Sequence, residues 1–206
     1  MTIPKDVATS DTRAAFLKAA KRLFGERGFY GVSIAAIADE LGLTKQALIH
    51  HFGTKERLYG EVLADMAAGL PGVVKKAREA GPEPTEQLEA LFLKLYENLT
   101  VRAPDDTLLL MRELLDNRLR AEHAHSWPMR TFLDSLVAMV RAAPATRGLS
   151  ESQALARVYM LIGAMNYVAV SEPTLRNMYG KAAYAELRAQ LPGQVRRLVR
   201  AALGAA

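Results

Sequence analysis

Cysteine is absent from this sequence of 206 residues. That absence excludes disulfide frameworks, thiolate zinc sites, iron–sulfur clusters and cysteine nucleophiles. Long apolar runs are also missing: the most apolar stretch, residues 159–170, contains Asn166 and is too short to cross a bilayer. Residues 1–15 carry mixed charge and no apolar core, unlike a signal peptide. We therefore expect a soluble, cytoplasmic protein that does not contact a membrane.

Signals for β-strands are scarce as well. The sequence contains no Asn-Gly or Asp-Gly hairpin turn and no convincing alternation of apolar and polar residues. Apolar residues instead recur at helical spacing along almost the whole chain. The length suffices to bury a core without disulfides or a structural metal. This pattern predicts an all-α protein.

The chain has a small excess of positive charge. Its 27 Lys and Arg outnumber its 22 Asp and Glu, for a net charge of +5. The first 60 residues hold nine of these basic residues and six of the acidic ones, so the excess is enriched at the amino end. Such a balance permits an acidic partner such as nucleic acid without requiring one.

Residues 33–52, SIAAIADELGLTKQALIHHF, have the spacing of a helix-turn-helix. Two short apolar-periodic segments are joined by a turn around Gly42, which can adopt a left-handed conformation without a Cβ penalty. Ser33 and Thr44 are suited to cap the two helices. Ala38 is small where the helices must approach each other. The second helix of such a unit enters the major groove of DNA.

The predicted second helix has a polar outer face. With Leu48 directed inward, steps of 100° place Gln46 and His50 nearly opposite it, flanked by Lys45 and Ile49. Lys and Gln can donate to base edges, and an apolar side chain can touch a thymine methyl. The same spacing also fits a tight helical hairpin inside a bundle, so both interpretations remain open on this stretch alone.

The surrounding sequence resembles the amino-terminal domain of the TetR (tetracycline repressor) family of bacterial transcriptional regulators, over about residues 10–63. The resemblance implies an amino-terminal three-helix DNA-binding domain and a larger helical domain for ligand binding and dimerisation. The matching positions are Ala20, Leu23, Phe24, Gly28, Phe29, Val32, Ser33, Ile37, Ala38, Leu41, Gly42, Leu43, Thr44, Leu48, His51, Phe52, Thr54, Lys55, Glu56 and Leu58.

The resemblance also assigns DNA contacts. Ser33 and Lys55 correspond to phosphate contacts at the starts of the second and fourth helices, and the others belong to the recognition helix. Ile49 departs from the family, which usually has a phosphate-binding Tyr there; His50 is a candidate replacement. The expected DNA-binding residues are Ser33, Thr44, Lys45, Gln46, Ala47, Ile49, His50, His51 and Lys55.

We expect the DNA-binding domain to cover residues 10–58 and the second domain to cover residues 59–206, with the boundary inside the fourth helix. The resemblance implies a homodimer formed by the last long helices. Their apolar faces can equally be intramolecular core, and the pattern does not separate the two. The candidate dimer residues are Gly163, Ala164, Leu187, Leu191, Val195 and Leu198.

The resemblance further implies a small-molecule effector bound among the middle helices. Met and aromatic side chains could line an apolar cavity with amide or hydroxyl anchors. Periodic apolar positions are more often plain core. The candidate ligand residues are Met111, Trp127, Met129, Phe132, Met139, Tyr159, Met160, Asn166 and Tyr167.

No enzyme, metal or cofactor is expected. The sequence has no Walker, dinucleotide-binding or nucleophile-elbow pattern. His123 and His125 lack the i, i+4 spacing of a helical zinc site. The favoured hypothesis is a ligand-responsive regulator of a pseudo-palindromic DNA operator, most simply a repressor released by a small apolar or amphipathic molecule. An activator, a ligand-independent regulator, a helical enzyme and a protein-interaction adaptor are the alternatives.

Overall fold

A computed structural model describes residues 5–102, 104–116 and 129–204. Across these three segments the chain forms helices and turns and no strand, as expected from the sequence. A π-turn follows the sixth helix and a short 3₁₀ turn follows the eighth. The helices are α1 (Lys5–Arg27), α2 (Ile34–Asp39), α3 (Lys45–Phe52), α4 (Lys55–Ala68), α5 (Leu70–Arg78), α6 (Pro84–Glu97), α7 (Pro104–Asp116), α8 (Arg130–Ala142) and α9 (Glu151–Ala202).

The predicted caps set the ends of the short helices. The Ser33 hydroxyl accepts a hydrogen bond from the Ala36 N–H at 3.0 Å, and the Thr44 hydroxyl accepts one from the Ala47 N–H at 3.2 Å. Gly42, between α2 and α3, has a φ of 66°, in the left-handed region. Local side-chain hydrogen bonds therefore fix where the recognition helix, α3, begins.

The residues group into two compact units. The first contains the chain up to Ala68 and the part of α7 from Leu108 onward; the second contains Gly69–Thr107 and everything from α8. The boundary expected between residues 58 and 59 is therefore misplaced, since α4 belongs entirely to the first unit. The reason is burial: Tyr59, Val62 and Leu63, which lie beyond that boundary, are in the first unit's core.

Aromatic side chains fill the core of the first unit. The rings of Phe24 and Tyr59 meet edge to face at 4.9 Å between centroids, and Phe16 and Phe52 do so at 6.3 Å. Such pairs add to the free energy gained by burying their area. Leu48 packs into the same core, so the recognition helix is attached through its inner face.

Helices α5, α6, α8 and α9 form the second unit. Their shared core includes Leu91, Phe92, Leu136 and Val158. Helix α9 is interrupted at Gly180, where φ is 84° and ψ is 163°. This conformation is accessible essentially to glycine alone.

The two parts of α9 form a helical hairpin around Gly180. The Arg157 guanidinium donates to the Ala202 carbonyl, so residues 151–179 and 181–202 run antiparallel. Pro173 and Pro192, on either side of this break, both lie inside helix. The chain reverses only where a residue without Cβ can adopt a positive φ.

Helix α9 is also long and apolar enough, by length and composition alone, to cross a membrane. Counting only consecutive apolar residues failed to identify it, because scattered polar residues interrupt the run. Most of the apolar stretch is exposed in a single chain.

Candidate nucleic-acid interface

Helix α3 presents the polar face predicted from its sequence. Leu48 and Phe52 are buried, while Lys45, Gln46 and His50 are exposed. Ile49 lies beside them and is 40% exposed. Ser33 and Thr44 are also exposed, and Ala47 is half-buried. The side chains proposed to read DNA thus lie opposite the side chains that attach the helix to its core.

The turn between α2 and α3 is held by backbone hydrogen bonds. The Leu43 N–H donates to the Ala38 carbonyl at 3.0 Å, and the Gly42 N–H donates to the Asp39 carbonyl at 3.0 Å. Ala38 is fully buried, as its predicted role in close helix approach requires. The angle at which α3 leaves α2 is therefore set by the turn itself.

The start of α4 adds a cation beside the reading helix. The Lys55 Nζ lies 4.3 Å from the centroid of the Phe29 ring, and the Thr54 hydroxyl accepts from the Arg57 N–H at 3.2 Å. Partial burial lowers the pKa of Lys55, while the neighbouring Glu56 opposes the change. Lys55 is therefore held in place on an aromatic ring.

The two histidines of α3 occupy different environments. His50 is exposed, whereas His51 is half-buried, with its ring 5.8 Å from Phe16 and 6.1 Å from Phe52. The Arg13 guanidinium lies 5.0 Å from the Phe52 centroid. Of the two, His50 has the freer path to DNA.

Several basic residues of α1 are engaged within the protein. Arg22 pairs with Glu26 at 2.7 Å and with Glu40, and these hydrogen bonds raise its pKa. Lys21 lies 3.0 Å from Asp65. The positive excess near the amino end is consequently a weaker indication of DNA binding than its count implied.

Two features of the first unit were not predicted from the sequence. Tyr30 is 63% exposed in the turn that precedes α2. Glu113, from α7, is buried and accepts a hydrogen bond from the Tyr59 hydroxyl. The hydrogen bond between Tyr59 and Glu113 joins residues 54 positions apart, so no local sequence pattern could have revealed it.

The expected ligand residues do not form one group. Phe132, Met139 and Asn166 are buried in the second unit, and Met129 packs at the edge of its core. Met111 belongs to the first unit. Trp127 lies outside the described residues, as do His123 and His125.

Three of the ligand assignments need correction. Tyr159, Met160 and Tyr167 are exposed on α9 and do not line the interior of a single chain. Their helical phase places them opposite the buried Val158, Leu161 and Met165 side of the helix. Apolar character alone could not distinguish the two faces.

Asn166 is the distinctive polar residue of the second unit's interior. It is 5% exposed, and its Oδ1 has no hydrogen-bond partner. An unpaired buried amide oxygen costs free energy and is unusual in a well-packed core.

Two tyrosines of the second unit, Tyr96 and Tyr184, lie near charged residues of α9. Burial raises the pKa of Tyr96, and the nearby Arg188 guanidinium opposes this. Burial also raises the pKa of Tyr184, with a further increase from the carboxylate of Glu172. Burial thus disfavours ionisation of both phenols.

The expected dimer residues divide between surface and core. Gly163, Ala164, Leu187 and Leu198 are exposed, and Leu191 is half-buried. Val195 is corrected, since its side chain is buried in the core of its own chain. Tyr159, Met160 and Tyr167 are exposed on the same hairpin, and we call these three residues and the exposed members together the outer hairpin face.

The chain is similar to several known regulators. The HTH-type transcriptional repressor KstR2 of Mycolicibacterium smegmatis is 32% identical over 90 residues, covering 44% of each protein. The repressor AcnR of Corynebacterium efficiens is 26% identical over 174 residues, covering 70% of this chain and 92% of that protein. A TetR-like regulator from Rhodococcus sp. RHA1 has a solved structure that aligns over 100% of both chains with 17% identity and a TM-score of 0.69, which shows a shared fold.

The capped helix pair and its exposed polar face define a helix-turn-helix DNA-binding domain within an all-helical chain. Residues 16–62 match the family described as "Bacterial regulatory proteins, tetR family". The amino-terminal part of this chain thus contains a TetR-family DNA-binding domain. The match of the chain to KstR2 spans less than half the length of that relative.

Proposed function

We propose that this chain is a sequence-specific transcriptional repressor that binds duplex DNA as a homodimer in the cytoplasm and is released by a small molecule. The observation that carries the DNA-binding role is the division of α3 into a buried face at Leu48 and an exposed donor face at Lys45, Gln46 and His50. Such a face can reach base edges in the major groove. Repression is favoured because similar proteins are named repressors.

The outer hairpin face supports a homodimer. Tyr159, Met160 and Tyr167 expose a large apolar area beside Gly163 and Ala164. Small residues allow a second helix to approach closely, and exposed apolar patches usually mark an interface. Two reading helices about one helical turn of DNA apart would then read a pseudo-palindromic site.

The effector is proposed to bind within the second unit. Asn166 supports a molecule that is mainly apolar and carries one hydrogen-bond donor, because its Oδ1 is buried and unpaired in a unit whose core is built of apolar side chains such as Phe132 and Met139. Binding would move α4 and so change the separation of the two reading helices. A preference of about 1–3 kcal/mol for the wider state lowers DNA affinity about 5–150-fold.

Selection of bound duplexes from a random-sequence pool by the full-length chain tests the proposal. We expect a pseudo-palindromic consensus and affinity that falls steeply with salt. The double substitution Lys45→Ala, Gln46→Ala should abolish the selection. Enrichment of no sequence would contradict specific DNA binding, and unchanged DNA affinity of the double variant would favour the adaptor alternative.

A further inference from the structure

Tyr30 offers an unused hydrogen-bond donor at the surface of the first unit. Its ring meets the Phe29 ring edge to face, with 5.2 Å between centroids. Within the described residues that ring contact is the only interaction recorded for Tyr30, and its hydroxyl has no partner. The Tyr30 ring is therefore positioned by Phe29, while its hydroxyl is available to a binding partner.

Phe29 connects Tyr30 to the start of α4. The Lys55 Nζ lies over the Phe29 ring, 4.3 Å from its centroid. Phe29 is in turn packed against Phe24 and Tyr59, at 6.0 and 5.0 Å between centroids. The buried aromatic core thus fixes the positions of Tyr30 and Lys55 relative to one another.

Tyr30 also precedes the start of α2 by a few residues. Ser33, which caps α2, is exposed and lies three positions after Tyr30. Lys55 lies three positions after Phe52, the last residue of α3. Tyr30 and Lys55 therefore both lie beside the Phe29 ring, and Ser33 follows Tyr30 closely along the chain.

We propose that Tyr30 is a DNA-contacting residue whose hydroxyl donates a hydrogen bond to a backbone phosphate. The recognition helix, KQALIHHF, contains no hydroxyl side chain, so a hydroxyl that donates to a phosphate has to be supplied by a residue outside it. Tyrosine is among the side chains that bind phosphate oxygens, and such contacts fix the register of a protein on the duplex. This inference rests on the proposed DNA-binding function.

Binding of the full-length Tyr30→Phe variant tests the inference on two probes: the duplex selected by the unmodified chain, and a duplex of scrambled sequence. We expect the affinity for both duplexes to fall about tenfold for each DNA-binding domain that contacts them. This is the effect of losing one hydrogen bond to a charged acceptor. The salt dependence should remain unchanged, because a neutral phenol displaces no counterion. The substitution Tyr179→Phe removes an equally exposed hydroxyl from the second unit and should leave binding unaltered.

Neutral methylphosphonates placed singly along the selected duplex identify the contact. One position should weaken the unmodified chain and have no further effect on Tyr30→Phe, since both changes remove the same bond. Additive losses at every position, or affinity unchanged by Tyr30→Phe, would overturn the inference while leaving specific DNA binding intact. Failure of the unmodified chain to select any duplex would overturn both proposals together.

Discussion

The Tyr59 hydroxyl donates a hydrogen bond to the buried carboxylate of Glu113, joining α4 to the part of α7 that belongs to the first unit. Nearby, the Arg112 guanidinium donates to the Glu26 carbonyl at 3.2 Å. The Tyr59 ring also contacts Phe29, which supports Lys55. Glu113 of α7 is thereby connected, through the Tyr59–Phe29 ring pair, to Lys55 of the proposed DNA-binding surface.

We predict that Tyr59→Phe lowers the free energy of unfolding by about 1–3 kcal/mol, because a buried carboxylate loses a donor. Urea denaturation measures the change. Glu113→Gln keeps an acceptor for the Tyr59 hydroxyl and should cost less than Glu113→Ala. Equal stability of all three variants and the unmodified chain would contradict a structural role for this bond.

Lys45 is expected to contribute directly to DNA affinity. Lys45→Ala should weaken binding to the selected duplex by about 1–3 kcal/mol if the amine contacts a base edge. If it contacts a phosphate instead, the slope of affinity against salt should fall by about one unit. Lys75→Ala removes the same charge from an exposed position of α5 and serves as the control. Equal behaviour of the two variants in fluorescence anisotropy would argue against this orientation of α3.

The cap of the recognition helix should be measurable in stability. Thr44→Ala removes the acceptor for the Ala47 N–H and should cost about 1 kcal/mol. Thr174→Ala changes an exposed threonine inside α9 and should be neutral or slightly stabilising, because alanine favours helix. Thermal unfolding of both variants provides the comparison, and an equal effect would show that the cap contributes nothing.

Gly180 is predicted to be the least replaceable glycine of the α9 hairpin. Gly180→Ala forces a Cβ into a backbone conformation that is essentially restricted to glycine and should cost about 1–3 kcal/mol. Gly193→Ala, at an exposed helical position where an added Cβ meets nothing within 4 Å, should instead gain up to about 1 kcal/mol. Calorimetry distinguishes these opposite shifts. A loss of stability in both variants would mean that helix packing, and not the turn, sets the cost.

The outer hairpin face should control assembly. Tyr167→Glu and Leu198→Glu each place a charge on an exposed apolar position and should convert a dimer into monomers in sedimentation equilibrium. Leu115→Glu alters an exposed leucine of the first unit and should leave the assembly unchanged. A monomeric unmodified chain that co-sediments with lipid vesicles would indicate that this face meets a membrane instead.

Much of the helix-turn-helix was predictable because its determinants are local. Ser33, Gly42 and Thr44 act on backbone atoms within a few residues, so their roles follow from spacing. The inward direction of Leu48 followed from helical periodicity in the same way. The prediction of ligand residues was less successful at Tyr159 and Met160, which are exposed. Their helix is apolar on two sides, and periodicity could not tell which side faces the core.

The sequence alone determined the helical class, the turn at Gly42, and the polar face at Lys45 and Gln46, because each depends on neighbours along the chain. Tertiary structure decided that Val195 is core, that basic residues such as Arg22 are paired, and that Glu113 binds Tyr59. These outcomes depend on groups distant in sequence that meet only when helices pack. The absence of cysteine has its counterpart in this packing, since buried aromatic and aliphatic clusters hold each unit together without a covalent cross-link.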